Sequence, residues 1–357
     1  MQKDIIQGGN REALRDSSAR IAVTGIQASG VPHLGNYLGM MRPALELART
    51  RRAYYFIADY HALTTVSDGH ELHKSVHQAA ATWLALGLDP GDTVLYLQSQ
   101  LIEVYMLQWI LSCSTSKGLL NRAHAYKAAT ESNRLHSRPI DDGIQMGLYA
   151  YPLLMAADIL LMGADDVPVG GDQQQNVEMA RDIAGSFNER YGPLLTLPTA
   201  IVDPHVATIP GVDGRKMSKS YGNVIPIFST REERRRLVMR IVTDSRRPEE
   251  PKDPETCNVF ALYKHFAPDE RVEEMRKRYL EGGVAYSAVK EELADLLDAA
   301  FDQARDRYLE IRRDTDRLDR LLRDGTRRAR ESASLLLSSI RLAVGGSADE
   351  IAMRSEG

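Results

Sequence analysis

Residues 20–37, RIAVTGIQASGVPHLGNY, decide the fold. The run from Ile21 to Ile26 is apolar and partly β-branched, the loop Gln27-Ala28-Ser29-Gly30 is small and polar, and a helical pattern opens after Pro32. A strand therefore passes through a tight loop into a helix. Gly30 and Gly35 let a ligand lie against bare backbone, and the first helical turn offers unpaired N–H groups at the positive end of its dipole, a setting for phosphate. His33 and Asn36 add side-chain donors where that charge would collect. The pattern is neither a P-loop nor a GxGxxG loop, and read locally it fits an ordinary strand–turn–helix corner equally well.

Working outward, the alternation repeats. The runs AYYFIADYHAL (53–63), DTVLYLQS (92–99) and VPVGG (167–171) read as strands separated by helical stretches, an order that indicates βαβ units and a parallel sheet. The expected fold is α/β, a Rossmann-like catalytic domain over residues 20–229 with a helical insertion, followed by an all-helical domain over 230–345. Pro152 is expected to kink or start the helix YPLLMAADILLM (151–162), and LPTAIVDPHVATIPGVDGRKMSKSYGN (197–223) reads as a Pro- and Gly-marked loop. Residues 1–19 and 346–357 are expected to be a flexible extension and tail.

Composition bounds the function. With 357 residues and 43% hydrophobic content the chain has ample core material, and a net charge of −4 means that any nucleic acid has to be met by local basic patches. Cys113 and Cys257 cannot supply a four-thiolate zinc or iron–sulfur site, and no protein-held metal is expected. Neither a leader-like apolar segment nor a bilayer-length run is present, so a cytoplasmic protein without membrane or DNA partners is expected.

A second constellation is Lys216-Met217-Ser218-Lys219-Ser220, preceded by Gly211 and Gly214. Two lysines among small hydroxyl residues on a glycine-flanked loop make a mobile cationic clamp for polyphosphate, although most such loops are merely solvated.

Together, His33-Leu34-Gly35-Asn36 and Lys216 to Ser220 resemble the signature pair of the class I aminoacyl-tRNA synthetases, with Asn36 in place of the second histidine. Thr24 to Tyr37, Asp59 to Thr64, Tyr151 to Leu161 and Val167 to Gln173 are similar, in order, to the bacterial tryptophanyl branch across about residues 20–345. The resemblance implies activation of L-tryptophan with ATP and Mg²⁺ and its transfer to tRNA(Trp) by a homodimer whose interface lies between Tyr105 and Leu161. It implies ATP contacts at Gln27, Ala28, Ser29, Gly35, Asn36, Gly170, Gly171, Asp172, Ile209, Lys216, Met217, Ser218, Lys219 and Ser220, with His33, Asn36, Lys127, Lys216 and Lys219 in the catalytic step. Mg²⁺ would be held mainly by ATP oxygens. The C-terminal arginines, Arg312, Arg313, Arg317, Arg320, Arg323, Arg327, Arg328 and Arg330, would include phosphate contacts in an anticodon-recognition domain.

Within 151–162, helical spacing puts Tyr151, Met155 and Asp158 on one face. A lone carboxylate in so apolar a helix is costly unless paired, by a neighbouring arginine, by a backbone donor or by a ligand N–H such as an indole's. The resemblance implies the last. It also places Tyr151 and Gln173 at the amino-acid head group, with His61, Met155, Val167 and Val169 as walls, and it puts Val23 where relatives carry phenylalanine, implying a looser indole pocket. A tyrosyl-tRNA synthetase, a small nucleotidyltransferase and a non-catalytic tRNA- or protein-binding paralogue are the rival readings. Asp158, the complete lysine loop and the intact motif residues respectively count against them.

Overall fold

The computed structural model describes residues 20–203, 206 and 209–346; the expected N-terminal extension and residues 347–357 of the expected tail lie outside them. Five parallel strands form one sheet in the order β3-β2-β1-β4-β5, with β1 Ile21–Gln27, β2 Arg52–Ala58, β3 Val94–Leu97, β4 Asp166–Pro168 and β5 Thr199–Ile201. Strand β2, RAYYFIA, is apolar on both faces, as a strand covered on both sides should be. Tyr55 and Ile57 enter one hydrophobic layer with Ala22 and Leu95, and Tyr54 and Phe56 enter the other with Val23 and Tyr96.

The first layer is covered by α1 (Arg42–Ala48) and α2 (Gly69–Ala85), the second by α3 (Glu103–Ser112), α5 (Met146–Leu161) and α6 (Gln174–Tyr191). Between α3 and α5 lies the more exposed α4 (His124–Leu135). Past the lysine loop come α7 (Arg231–Met239), α8 (Asn258–Tyr263), α9 (Asp269–Glu281), α10 (Tyr286–Ile311) and α11 (Thr315–Ala343). Thr230 caps α7 by accepting from the Glu233 N–H. Arg234, 1% exposed, joins α7 to Asp298 and Asp302 of α10 and donates to the Ser229 carbonyl. No described helix is long and apolar enough to cross a membrane.

Helix α5 begins at Met146, so of the two places expected for Pro152 it takes the helix interior, where it removes the helical donor from the Leu148 carbonyl; one local expectation changes. Residues Thr199–Ile201, expected as loop, pair with β4 as the fifth strand; three residues bounded by Pro198 carry too little periodicity to be read as a strand.

Helix α11 returns to the sheet and packs on its edge strand β3, with Ala329, Ala333, Leu337 and Ile340 in the second layer. Gly325 makes this possible: a Cβ there would lie 1.8 Å from the Leu95 carbonyl oxygen. In a free helix Gly→Ala stabilises by about 1 kcal/mol. Here the sign should reverse, and Gly325→Ala is expected to destabilise the chain by about 2 kcal/mol or more in guanidinium unfolding, because helix and strand have to separate. An unchanged midpoint would remove this account of the contact.

Candidate active site

The strand order reverses between β1 and β4, the place where open α/β sheets leave a crevice beyond the strand ends. The Thr24 hydroxyl donates to the Pro168 carbonyl at 2.7 Å and ties those two ends together. Above them opens a cavity of about 540 Å³. Of the residues expected to form a site, Gln27, Ser29, His33, Gly35, Asn36, His61, Tyr151, Met155, Val167, Val169, Gly170, Gly171, Asp172, Gln173, Ile209, Lys216, Met217, Ser218 and Lys219 line it. The sheet, α5, the loop after β4 and the lysine loop thus converge on one space.

Four expected residues stand outside the lining. Ala28 is fully buried behind the first loop, and exposed Ser220 lies with its hydroxyl 2.9 Å from that of Ser218. Lys127 is exposed on α4, away from the cavity wall. Asp158 is 0% exposed, behind a wall to which His61, Tyr151, Met155 and Ile159 contribute. Val23 also fails to line the cavity: it belongs to the second core layer, while Phe56 forms the wall and occupies the space over Gly25, where a Cβ would lie 2.4 Å from its ring.

Asp158 is held by a residue that sequence reading missed. Gln98, fully buried just after β3, donates from Nε2 to Asp158 Oδ2 at 2.7 Å, and the same nitrogen lies 2.8 Å from His61 Nδ1. Its Oε1 accepts from the His61 backbone N–H at 3.3 Å. With both amide hydrogens so used, His61 Nδ1 is an acceptor and the ring proton sits on Nε2. Burial pushes His61 down to about 4, so the ring is neutral and its 3.7 Å approach to Asp158 is no ion pair. Burial pushes the Asp158 carboxyl well above the usual range, opposed by the Gln98 bond. Asp158 Oδ1 is buried without a partner among the described residues, leaving one acceptor at this end of the site.

A polar residue closing an apolar strand at its C-terminal end, as in Tyr96-Leu97-Gln98, was the available signal for Gln98. Gln98→Met, similar in size, is expected to raise the KM for the amino acid about tenfold or more with kcat and the KM for nucleotide little changed, since one hydrogen bond to a charged group is lost. Equal losses in kcat and in both KM values would point to general damage instead.

The other end is cationic. Lys219 Nζ donates to the Ser29 carbonyl at 2.8 Å, and Lys216 Nζ lies 3.4 Å from Asp172 Oδ1, so the loop holds the lips that follow β1 and β4. Asn223, 1% exposed, shapes the loop: its Oδ1 accepts from the Ser218 N–H at 2.8 Å, and its Nδ2 donates to Asp213 at 2.7 Å and to the Lys216 carbonyl at 3.0 Å. Although Lys219 as a residue stays exposed at the cavity mouth, burial of its ammonium pushes it down to about 8. Burial and then the Lys219 charge hold His33 at about 4, so the ring is neutral. The His33 backbone N–H donates to Asn36 Oδ1 at 3.1 Å, fixing the turn, and the chain continues through a π-helical segment at Tyr37–Met41. Asp172 is the one carboxylate among the described lining residues, too few for an oxygen cage.

Comparison with known proteins agrees with this geometry. Residues 16–302 match the family model of class I tRNA synthetases (W and Y). The tryptophan–tRNA ligase of Neisseria meningitidis is 45% identical over 331 residues, covering 92% of this chain and 98% of that protein. That of Xylella fastidiosa is 48% identical over 327 residues, 90% of this chain and 75% of its own length. Among solved structures, tryptophanyl-tRNA synthetase from Campylobacter jejuni, complexed with ADP and tryptophan, superimposes with a TM-score of 0.78 at 42% identity, covering 91% of this chain and 99% of that one. A cavity with a buried carboxylate behind its apolar wall, opposite a two-lysine clamp at the switch point of a parallel sheet, accompanies sequence identity of this extent, and the chain belongs to the tryptophan–tRNA ligases of the class I synthetases.

Proposed function

We propose that the crevice activates L-tryptophan with MgATP and passes it to tRNA(Trp). The observation that carries this reading is the partnerless Asp158 Oδ1 beside an apolar slot: it accepts from a donor-only group, and the indole N–H is one. A tryptophan carboxylate oxygen attacks the α-phosphorus, the bond to the α–β bridging oxygen breaks, and pyrophosphate leaves. A terminal ribose hydroxyl of the tRNA then attacks the carbonyl carbon and AMP leaves. Neither step requires a protein nucleophile, so catalysis rests on alignment and on charge stabilisation by Lys216, Lys219 and the helix start at Leu34 to Asn36. Lys127, exposed on α4 and outside the cavity lining, is assigned to the phosphates on the family resemblance alone. Mg²⁺ arrives on the polyphosphate, consistent with the single lining carboxylate.

The proposed tRNA contacts narrow to part of the arginine set. Arg327 pairs with Asp324 and Glu331, Arg328 donates to the Pro90 and Gly91 carbonyls, and Arg330 pairs with Glu103. Arg312 lies over Tyr308. Arg313, Arg317, Arg320 and Arg323 are exposed without an ion pair among the described residues, which supports them as phosphate contacts. Exposed Met106, Trp109 and Met146, with Trp109 72% and Met146 73% exposed, support the proposed homodimer surface.

ATP–pyrophosphate exchange measured with tryptophan and with tyrosine tests the proposal. Exchange with tryptophan alone is expected. Exchange with tyrosine would overturn the choice of amino acid, and none with either would favour a binding paralogue.

A further inference from the structure

Outside the cavity lining, α2 and α11 meet through polar side chains whose chemistry the aminoacylation reading leaves unused. His73 and His77 stand one helical turn apart on α2, with ring centroids 4.3 Å apart at 62°. Asp319 reaches them from α11, with Oδ1 2.8 Å from His77 Nε2. One ligating atom from each of the three residues can be chosen so that all lie within 4.8 Å of one another. We propose that His73, His77 and Asp319 form a transition-metal site that cross-links α2 to α11.

Two imidazoles and one carboxylate are a donor set for Zn²⁺ and its borderline neighbours Co²⁺, Ni²⁺ and Cu²⁺; Mg²⁺ and Ca²⁺ prefer all-oxygen shells. Bond lengths of about 2.0–2.2 Å to each donor put neighbouring ligands a little over 3 Å apart, within reach of the present spacing after small side-chain rotations. A plain His–Asp staple would account for His77 and Asp319 alone. It leaves His73, exposed and without a hydrogen-bond partner among the described residues, as an unused third donor turned to the same place. His77 is buried and Asp319 half-buried, so the ion would sit at the protein surface with one position open to water. The two cysteines take no part, so a scarcity of thiols does not bear on this site. Because the ligands come from two helices far apart in the chain, the ion would hold α11 against the body that carries the sheet, beside its exposed arginines.

The test is a Zn²⁺ titration of the tag-free full chain against a chromophoric chelator, repeated with His73→Ala and Asp319→Asn and accompanied by thermal unfolding. The exposed position of His73 makes loss of folding a poor explanation for any effect of its substitution. The expected result is one Zn²⁺ per chain with micromolar or tighter Kd, weakened at least thirtyfold in either variant. Saturating Zn²⁺ should raise the Tm of the unsubstituted chain by a few degrees, reversed by EDTA, as binding to the folded state alone requires. Co²⁺ should give the intense visible band of a four-coordinate site in the unsubstituted chain and lose it in both variants. Absence of stoichiometric binding, or binding that survives both substitutions unchanged, overturns the proposal. Pyrophosphate exchange is unaffected by either result, so the outcome is independent of the reading of the cavity.

Discussion

Asp158→Ala is expected to lower kcat/KM for tryptophan-dependent pyrophosphate exchange by about 10³-fold, more than any other single change at the amino-acid end. A charge-assisted hydrogen bond contributes about 1.5–3 kcal/mol, a factor of roughly 10 to 150. Alanine also removes the acceptor for Gln98, leaving a buried donor unpaired, and opens a cavity inside α5. Asp158→Asn separates these effects, because the asparagine oxygen can still accept from Gln98 or from the indole. It should retain more activity than alanine. The same carboxyl sets a pH dependence. Its proton is held more tightly than usual by burial, so lowering the pH favours the protonated form, which has no ionised oxygen for the indole. The KM for tryptophan should therefore rise as pH falls and should become flat in Asp158→Asn. A KM independent of pH in the unsubstituted chain, or wild-type activity in Asp158→Ala, would remove Asp158 from substrate recognition.

Lys219→Ala is expected to act at the other end and on the other constant, lowering kcat for exchange by about 10²–10³-fold while the KM for tryptophan stays within about twofold. The reason is geometric. The ammonium rests on the Ser29 carbonyl at 2.8 Å, a neutral partner, so it is free to transfer to phosphate oxygens as their charge grows. Lys216 already spends part of its field on Asp172 at 3.4 Å and should show a smaller loss. Because the free Lys219 ammonium titrates at about 8, kcat/KM for ATP should decline as pH rises through that value, when the cation is lost. The alanine variant should lack that limb. An alkaline limb that persists unchanged would assign it to another group.

These two residues also show how much was legible in advance. Lys219 announced itself because a dense local motif carries its own chemistry, and Asp158 because a carboxylate is out of place in an apolar helix. The strands β1 to β3 were equally plain, each a β-branched or aromatic run with both faces apolar. Gln98 offered only its place at the end of an apolar strand, and Asn223 offered no signal. Each is an amide whose importance lies in partners 60 and 10 residues distant, a relation that no local spacing encodes. The short strand β5 owes its existence to the edge that β4 offers it, and the neutrality of His33 to burial that only the assembled crevice provides. Half of the C-terminal arginines turned inward or sideways onto carbonyls, acids and a ring for the same reason: a charge pattern along a helix does not say which turn meets protein and which meets solvent.

The seating of Gly325 on Leu95 has a consequence for biosynthesis. Among the described residues strand β3 pairs with β2 and has no second strand beside it; α11 packs on it, and α11 leaves the ribosome after every other described element. Until then the nascent sheet carries an open border able to recruit strands from neighbouring chains. Slow synthesis ahead of residue 315, or premature termination there, should thus yield a product that needs a chaperone.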